Sequence, residues 1–377
     1  MHFKIHKHMS RPLVLLGGLL VSTVLLQSAD LELPQLQAPA AAAETFKLPR
    51  PVPIRDINNN EQLLMGMDEG QLLISFPNMP GAEVIVPLDS DGLRLSVAVP
   101  DGYNDAVLAA SRGDYGPIVQ VLDPLAGPMM PFLRINARQT NLHPICLAYY
   151  KALVLGGQTD KAVQVSMKIP FESVSEDFSK LAEELLFDCI EQGRFPAVEG
   201  LLSRLMVSLP EDGFADIAFR AADALRTAGE HALSLKVYGT LVDSADTVLR
   251  QRSLLWAGYS SAVSGNPAQA RDILGELDDL ERGDENFVTY CLARGRTGLA
   301  EDNLREGLRY LSRAMVLTSV EASYKPELYY LLIRAYRGSG QEEASARLLR
   351  EFEIFYPENP WLAKSRSESG ETETERI

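Results

Sequence analysis

Along most of the chain apolar residues return every three or four positions, the spacing of one face of an α-helix. Phe178, Leu181, Ala182, Leu185, Leu186 and Cys189 make one such stripe before Gln192, and a second fills Phe195 to Leu209. Gly193 stands between them. Helix, glycine, helix is the pattern of a hairpin. A residue in the left-handed conformation ends the first helix without a side-chain clash only when it is glycine. The pattern recurs at Gly157, Gly193, Gly229 and Gly265, which stand 36 residues apart. Neither helix of such a pair hides its stripe alone, so each is expected to lean on its partner and on the next pair.

Aligning the windows on these glycines gives columns. Twelve residues after each comes Ile169, Leu205, Leu241 or Leu277, and eight residues before each comes Tyr149, Leu185, Ala221 or Ala257. Near the C-terminus Tyr329, Leu332, Ile333 and Tyr336 precede Gly340, and Phe352 falls in the first of those columns. Proline follows glycine by 17 residues at Gly193 to Pro210 and again at Gly340 to Pro357, closing the second helix at one depth. The windows resemble tetratricopeptide repeats. Gly258 matches that family's small residue before the turn, Ala162 and Ala270 its alanine after it, and Pro210 and Pro357 its closing proline. The sequence departs from the family where Cys146, Ala182, Ala218 and Leu254 replace a bulky residue, and its period exceeds the usual ~34.

The resemblance covers roughly residues 103–362. It implies a mainly α chain, a right-handed, tetratricopeptide-like solenoid of about six to seven hairpins; the residues before it read as a small antiparallel β segment. A first, irregular hairpin runs from Tyr103 through Gly113, followed by a break at Pro124, Pro128 and Pro131. The sixth lattice point falls on Glu301, so Gly295 or Gly298 is expected to turn the chain nearby.

Upstream, residues 1–29 read as a signal peptide or an uncleaved anchor. Lys4, Lys7 and Arg11 precede the apolar run 13–26, and Ser28 and Ala29 offer a cleavage site. That run, if retained, is a membrane tether. Residues 30–53 hold five prolines around an alanine run and are expected to be an extended linker. Between residues 54 and 100, four short runs, Gln62–Met67, Gln71–Phe76, Glu83–Leu88 and Leu93–Val99, read as strands. The turn signals between them are Asp68-Glu69-Gly70, Pro80-Gly81 and Asp91-Gly92. Such a sheet is too small for a core of its own. Either it docks on the first hairpin as a cap or it pairs with a partner's strand. Residues 363–377, rich in Ser, Glu, Thr and Gly, read as a disordered tail.

Charge narrows the partners. The 377 residues carry 36 basic and 51 acidic side chains, a net −15; removing residues 1–29, which hold three basic and no acidic residues, gives 33 against 51, or −18. An acidic surface repels phosphate backbones, so nucleic acid is excluded as the expected partner. The sequence holds no nucleophile elbow, P-loop, dinucleotide fingerprint or HExxH motif, and no cofactor or enzymatic activity is expected. His143 and His231 stand at helix starts, and Asp89 and Asp91 suit a solvated turn better than a metal site. Cys146, Cys189 and Cys291 sit on apolar stripes without a CxxC pair; Cys146 and Cys189 lie on neighbouring first helices and are candidates for a disulfide in an exported protein.

In tetratricopeptide proteins the first helices line the concave face, and carrying that register across assigns the inward positions. They are Leu147, Lys151 and Val154, then Glu183, Phe187 and Ile190, then Phe219, Asp223 and Arg226. Leu255, Tyr259 and Ala262 follow, and finally Tyr330, Arg334 and Arg337. Aromatic anchors beside arginines suit a protein or peptide ligand with carboxylates, although the same aromatics also suit the core between helices. The resemblance therefore implies a non-catalytic scaffold, exported to the periplasm or cell envelope or tethered at the inner membrane. The alternative is a self-associating structural protein that forms homo-oligomers through the array or the β segment.

Overall fold

A computed structural model describes residues 33–39, 45–90, 93–277 and 280–368. The segment read as a signal peptide or anchor, the Asp91-Gly92 turn and the last residues of the tail lie outside them. The described chain is mainly helical, with an antiparallel five-stranded sheet at its N-terminal end.

The sheet is built from β1 (Phe46–Arg55), β2 (Glu61–Asp68), β3 (Gln71–Phe76), β4 (Met79–Pro87) and β5 (Ser96–Val97), in the order β4-β3-β2-β1-β5. Glu69 and Gly70, both with positive φ, make the two-residue turn between β2 and β3 that a right-twisted hairpin favours. Two differences from the sequence reading stand out. Pro80-Gly81 is inside β4 and the turn falls three residues earlier, since Phe76 pairs with Met79 across Pro77-Asn78. Residues 46–53, read as the end of a linker, form a full strand with Ile54 and Arg55. Its prolines alternate at 49, 51 and 53, and alternate residues present their N–H groups to one edge, so the other edge keeps its donors. The β1–β2 register shifts between Lys47 and Val52, the stretch that holds Pro49 and Pro51.

The sheet docks where the helical part begins. Phe46 meets Phe132 edge-on at 5.0 Å, and the Asn141 amide exchanges two 2.9 Å hydrogen bonds with the backbone of Val97. The Leu95 N–H donates to the Gln139 carbonyl at 2.8 Å.

Fifteen α-helices follow among the described residues. The first two are α1 (Tyr103–Ala110) and α2 (Gly116–Met129). Helix α2 runs through Pro124 and Pro128, where the sequence suggested a break; the chain leaves it only at a 3-10 turn, Met130–Arg134. Then come α3 (Leu142–Leu155), α4 (Thr159–Ser166), α5 (Glu176–Glu191), α6 (Phe195–Ser208), α7 (Glu211–Thr227) and α8 (His231–Leu241). The remainder are α9 (Thr247–Val263), α10 (Pro267–Gly275), α11 (Phe287–Ala300), α12 (Leu304–Leu317), α13 (Lys325–Gly338), α14 (Glu342–Phe355) and α15 (Pro360–Ser367). None of them is long and apolar enough to cross a membrane.

The turns share one geometry. Gly157, Gly193, Gly229, Gly265 and Gly340 have φ of 67°, 69°, 88°, 86° and 72°. After each, the next N–H reaches back to the carbonyl five residues earlier: Gln158 to Leu153, Arg194 to Cys189, Glu230 to Leu225, Asn266 to Ser261 and Gln341 to Tyr336, all within 2.8–3.0 Å. This is the hydrogen bond that satisfies a terminal carbonyl when a helix ends on a left-handed residue. Gly113, at φ 89°, makes the same turn after α1.

At the sixth turn the residue is Asp302, φ 57°, with Asn303 N–H on the Gly298 carbonyl at 2.8 Å. The expectation that Gly295 or Gly298 turns the chain is therefore corrected. Both lie inside α11, where a Cβ on Gly295 would come within 2.5 Å of Leu311, and one on Gly298 within 2.8 Å of the Gly307 backbone. They let α11 and α12 approach closely.

The aligned columns lie in the core. Ile169, Leu205, Leu241, Leu277 and Phe352 are buried, as are Tyr149, Leu185, Ala221 and Ala257. Within each pair the helices pack together, and α3–α5, α5–α7, α9–α11 and α11–α13 also touch along the row of first helices. Residues 363–367, read as disordered, continue α15 instead. Leu362 is buried, Trp361 lies 5.0 Å from the Tyr330 ring, and Arg366 pairs with Glu353 at 2.7 Å. The three cysteines are free and buried, so Cys146 and Cys189 do not pair.

Candidate functional site

The inward positions assigned from the sequence fall into three groups. At the N-terminal end of the row, Val154, Glu183 and Phe187 share an open recess of about 720 Å³ with Leu155, Lys180, Glu184 and Asp188. Val154, Leu155 and Phe187 give it apolar lining, and three carboxylates stand against one lysine. Arg220 lies on its border, its guanidinium 4.9 Å from the Phe187 ring centre and paired with Glu183. Leu147 is half-buried, Ile190 is buried and Lys151 is exposed; none of the three lines the recess.

The middle of the row is sealed by its own side chains. Phe219, Leu255, Tyr259 and Ala262 are buried. Arg252 stacks on Phe219 at 4.3 Å, and Phe219 meets Tyr238 edge-on. Asp223 accepts the Tyr238 hydroxyl at 2.6 Å and lies 3.4 Å from Arg226, whose guanidinium covers Trp256 at 3.8 Å. The hydroxyl of Tyr259 donates to Glu327, joining α9 to α13. Phe219 and Tyr259 are thus interior residues rather than exposed anchors: Phe219 packs against Tyr238 and Arg252, and Tyr259 is held by Glu327.

Electrostatics in this interior follow from burial. Burial raises the Glu327 carboxyl above its ordinary range, opposed by the Tyr259 hydrogen bond and by Arg296 and Arg226. His231, the first residue of α8, is held down to about 4 by burial and by the positive charges of Arg296, Arg226 and Lys364. It is neutral at pH 7. His231 Nδ1, Arg226 Nε and Arg296 Nη1 are buried without a hydrogen-bond partner among the described residues. Sequence reasoning missed Glu327, Trp256 and Arg296. Only Trp256, one of two tryptophans, carried a compositional signal.

At the C-terminal end Tyr330, Arg334 and Arg337 are brought together around a recess of about 420 Å³, lined also by Leu299, Asp302, Leu304, Ile333, Ser365 and Glu368. The Tyr330 ring is buried, and its hydroxyl donates to Glu368 at 2.8 Å. Arg337 donates to the Ser365 carbonyl at 3.2 Å, which leaves the rest of its guanidinium for the recess. Arg334 is exposed and has no ion pair among the described residues. Among those residues no group of three or more His, Cys, Asp or Glu side chains converges as a metal would require.

Comparison with models of known protein families finds no match for this chain, and comparison with curated proteins finds none.

Proposed function

We propose that the chain is a non-catalytic scaffold, a tetratricopeptide-like stack of helical hairpins that binds segments of protein partners along its first helices. The turn geometry shared by Gly157, Gly193, Gly229, Gly265, Asp302 and Gly340 supports the stacked architecture. One observation carries the binding role: the row stays open at both ends, with different charge at each, while its middle is filled. Three carboxylates outnumber Lys180 around Phe187 at one end; at the other Arg334 and Arg337 stand beside Tyr330 with Asp302 and Glu368, the latter engaged by the Tyr330 hydroxyl. Cationic segments suit the first recess and segments bearing a free carboxylate the second, because charge-assisted hydrogen bonds are the stronger class.

A peptide array varying in charge tests this, read with the wild type, Glu184→Lys/Asp188→Lys and Arg334→Glu/Arg337→Glu. The first pair should lose basic peptides and the second acidic ones, each about tenfold or more. Unchanged binding in both variants ends the reading. Export or envelope tethering, which rests on residues 1–29, is checked by cell fractionation and the N-terminal sequence of the mature chain.

Self-association is a second reading, favoured by β4. It is an edge strand of nine residues, with Met79, Val84 and Ile85 exposed, and edges of that kind template pairing with another chain. Light scattering over a concentration series decides it. A monomer at every concentration removes it.

A further inference from the structure

Residues Leu33–Gln37 belong to no strand and lie against α8. Gly239 is the ninth of eleven residues in that helix and has no positive φ that would call for glycine. A glycine inside a helix costs about 1 kcal/mol relative to alanine, so it needs another reason. A Cβ here would stand 2.3 Å from the Pro34 carbonyl oxygen, 3.2 Å from the Leu33 Cβ and 3.3 Å from the Pro34 carbonyl carbon. Its three nearest contacts would all be with the arm. The glycine clears a seat for it.

The remaining contacts are those a peptide makes. The Leu36 N–H donates to Thr240 Oγ1 at 2.8 Å, and that hydroxyl in turn donates to the Lys236 carbonyl. Gln35 donates its amide to Asp243 at 3.1 Å. Leu33 and Leu36 are buried. In an extended chain of about three residues per turn, positions three apart share a face, and Pro34 fixes its own φ in advance. The groove is not exhausted by the arm. A recess of about 370 Å³ lined by Met206, Leu209, Phe214 and Leu241 shares Thr240 and Asp243 with it.

We propose that the groove over Gly239 is a binding site for extended peptides of the pattern Leu-Pro-x-Leu, and that this chain's own Leu33–Gln37 fills it in cis. Only residues 38–45 separate the arm from β1, and a tether that short holds a ligand at an effective concentration on the order of millimolar. A free peptide therefore competes poorly until the arm is displaced. The proposal is independent of the two recesses on the first helices.

The test uses the full chain and a fluorescein-labelled peptide of residues 33–39. Leu33→Asp/Leu36→Asp empties the groove and should bind the peptide at least tenfold more tightly than the wild type. Adding Gly239→Ala to that variant should abolish the gain. Equal peptide binding with and without Gly239→Ala, or none by the emptied variant, overturns the proposal. Hydrogen exchange guards against a variant that fails to fold: the Leu36 amide, slow in the wild type, should lose its protection in Gly239→Ala alone. Protection retained there also overturns it.

Discussion

Replacing a turn glycine by alanine isolates the backbone from everything else at that position. At Gly157, Gly229, Gly265 and Gly340 a Cβ would meet nothing within 4 Å, so no clash enters the result. What remains is the left-handed conformation, which costs an L-residue about 1–2 kcal/mol. Alanine also restricts the unfolded chain, which returns about 0.4–1 kcal/mol. The net loss is about 1 kcal/mol, and it should be nearly the same at all four sites because φ differs little among them. Asp302→Gly removes the same strain and should stabilise by a similar or smaller amount. Native-state hydrogen exchange of the amide after each turn, Gln158, Glu230, Asn266 or Gln341, reads the opening of that hairpin by itself, which matters because a long array need not unfold in one step. Each alanine should speed exchange at its own turn about fivefold, since ~1.4 kcal/mol is tenfold. A scattered result, one site neutral and another losing several kcal/mol, would refute the idea that these turns are one device used repeatedly.

Phe219→Ala and Tyr259→Ala should each cost about 3–5 kcal/mol by urea unfolding, as losses of large buried rings do; wild-type stability would return these positions to the surface. His231 has a folded pKa of about 4 against an ordinary 6.5, so the folded state binds fewer protons between those values and stability falls as pH drops through that window. Glu327, raised by burial, acts in the opposite sense, and the comparison is therefore made with His231→Gln, which should flatten the slope in thermal melts between pH 4 and 6.5. Burial pushes the thiols of Cys146, Cys189 and Cys291 up to about 12, 11 and 11. A thiol reagent at neutral pH should label none in the native protein and three in urea, with or without reductant; a reductant-dependent count would show a disulfide.

Most of the helical part was legible because its signal is periodic. Helices α5 and α6 begin and end within two residues of the stripes read from Phe178 to Gln192 and from Phe195 to Leu209. What the periodicity could not carry is long-range. The bond between Tyr259 and Glu327, both buried, joins residues 68 positions apart and leaves no local pattern. The inward register was therefore informative only at the two ends, where Phe187 and Arg334 keep access to open space. Proline misled twice: in β1, where alternate residues present their N–H groups to one edge, and in α2, which continues through Pro124 and Pro128 although each removes a helix donor. The seat for Leu33–Gln37 was marked by Gly239, a helix-interior glycine whose reason is visible only when the arm is in place.

Distances between spin labels test the stacking directly. Asp160, Ala232 and Ala268 are exposed and stand three residues after their turn glycines, so they are equivalent points on the first, third and fourth units of the regular lattice. Packed helices lie about 8–10 Å apart, and each unit should add a similar step. The account predicts that the 232–268 separation is the shortest, that 160–232 is close to twice it, and that 160–268 is the longest. Separations that do not grow with the number of intervening hairpins would contradict it.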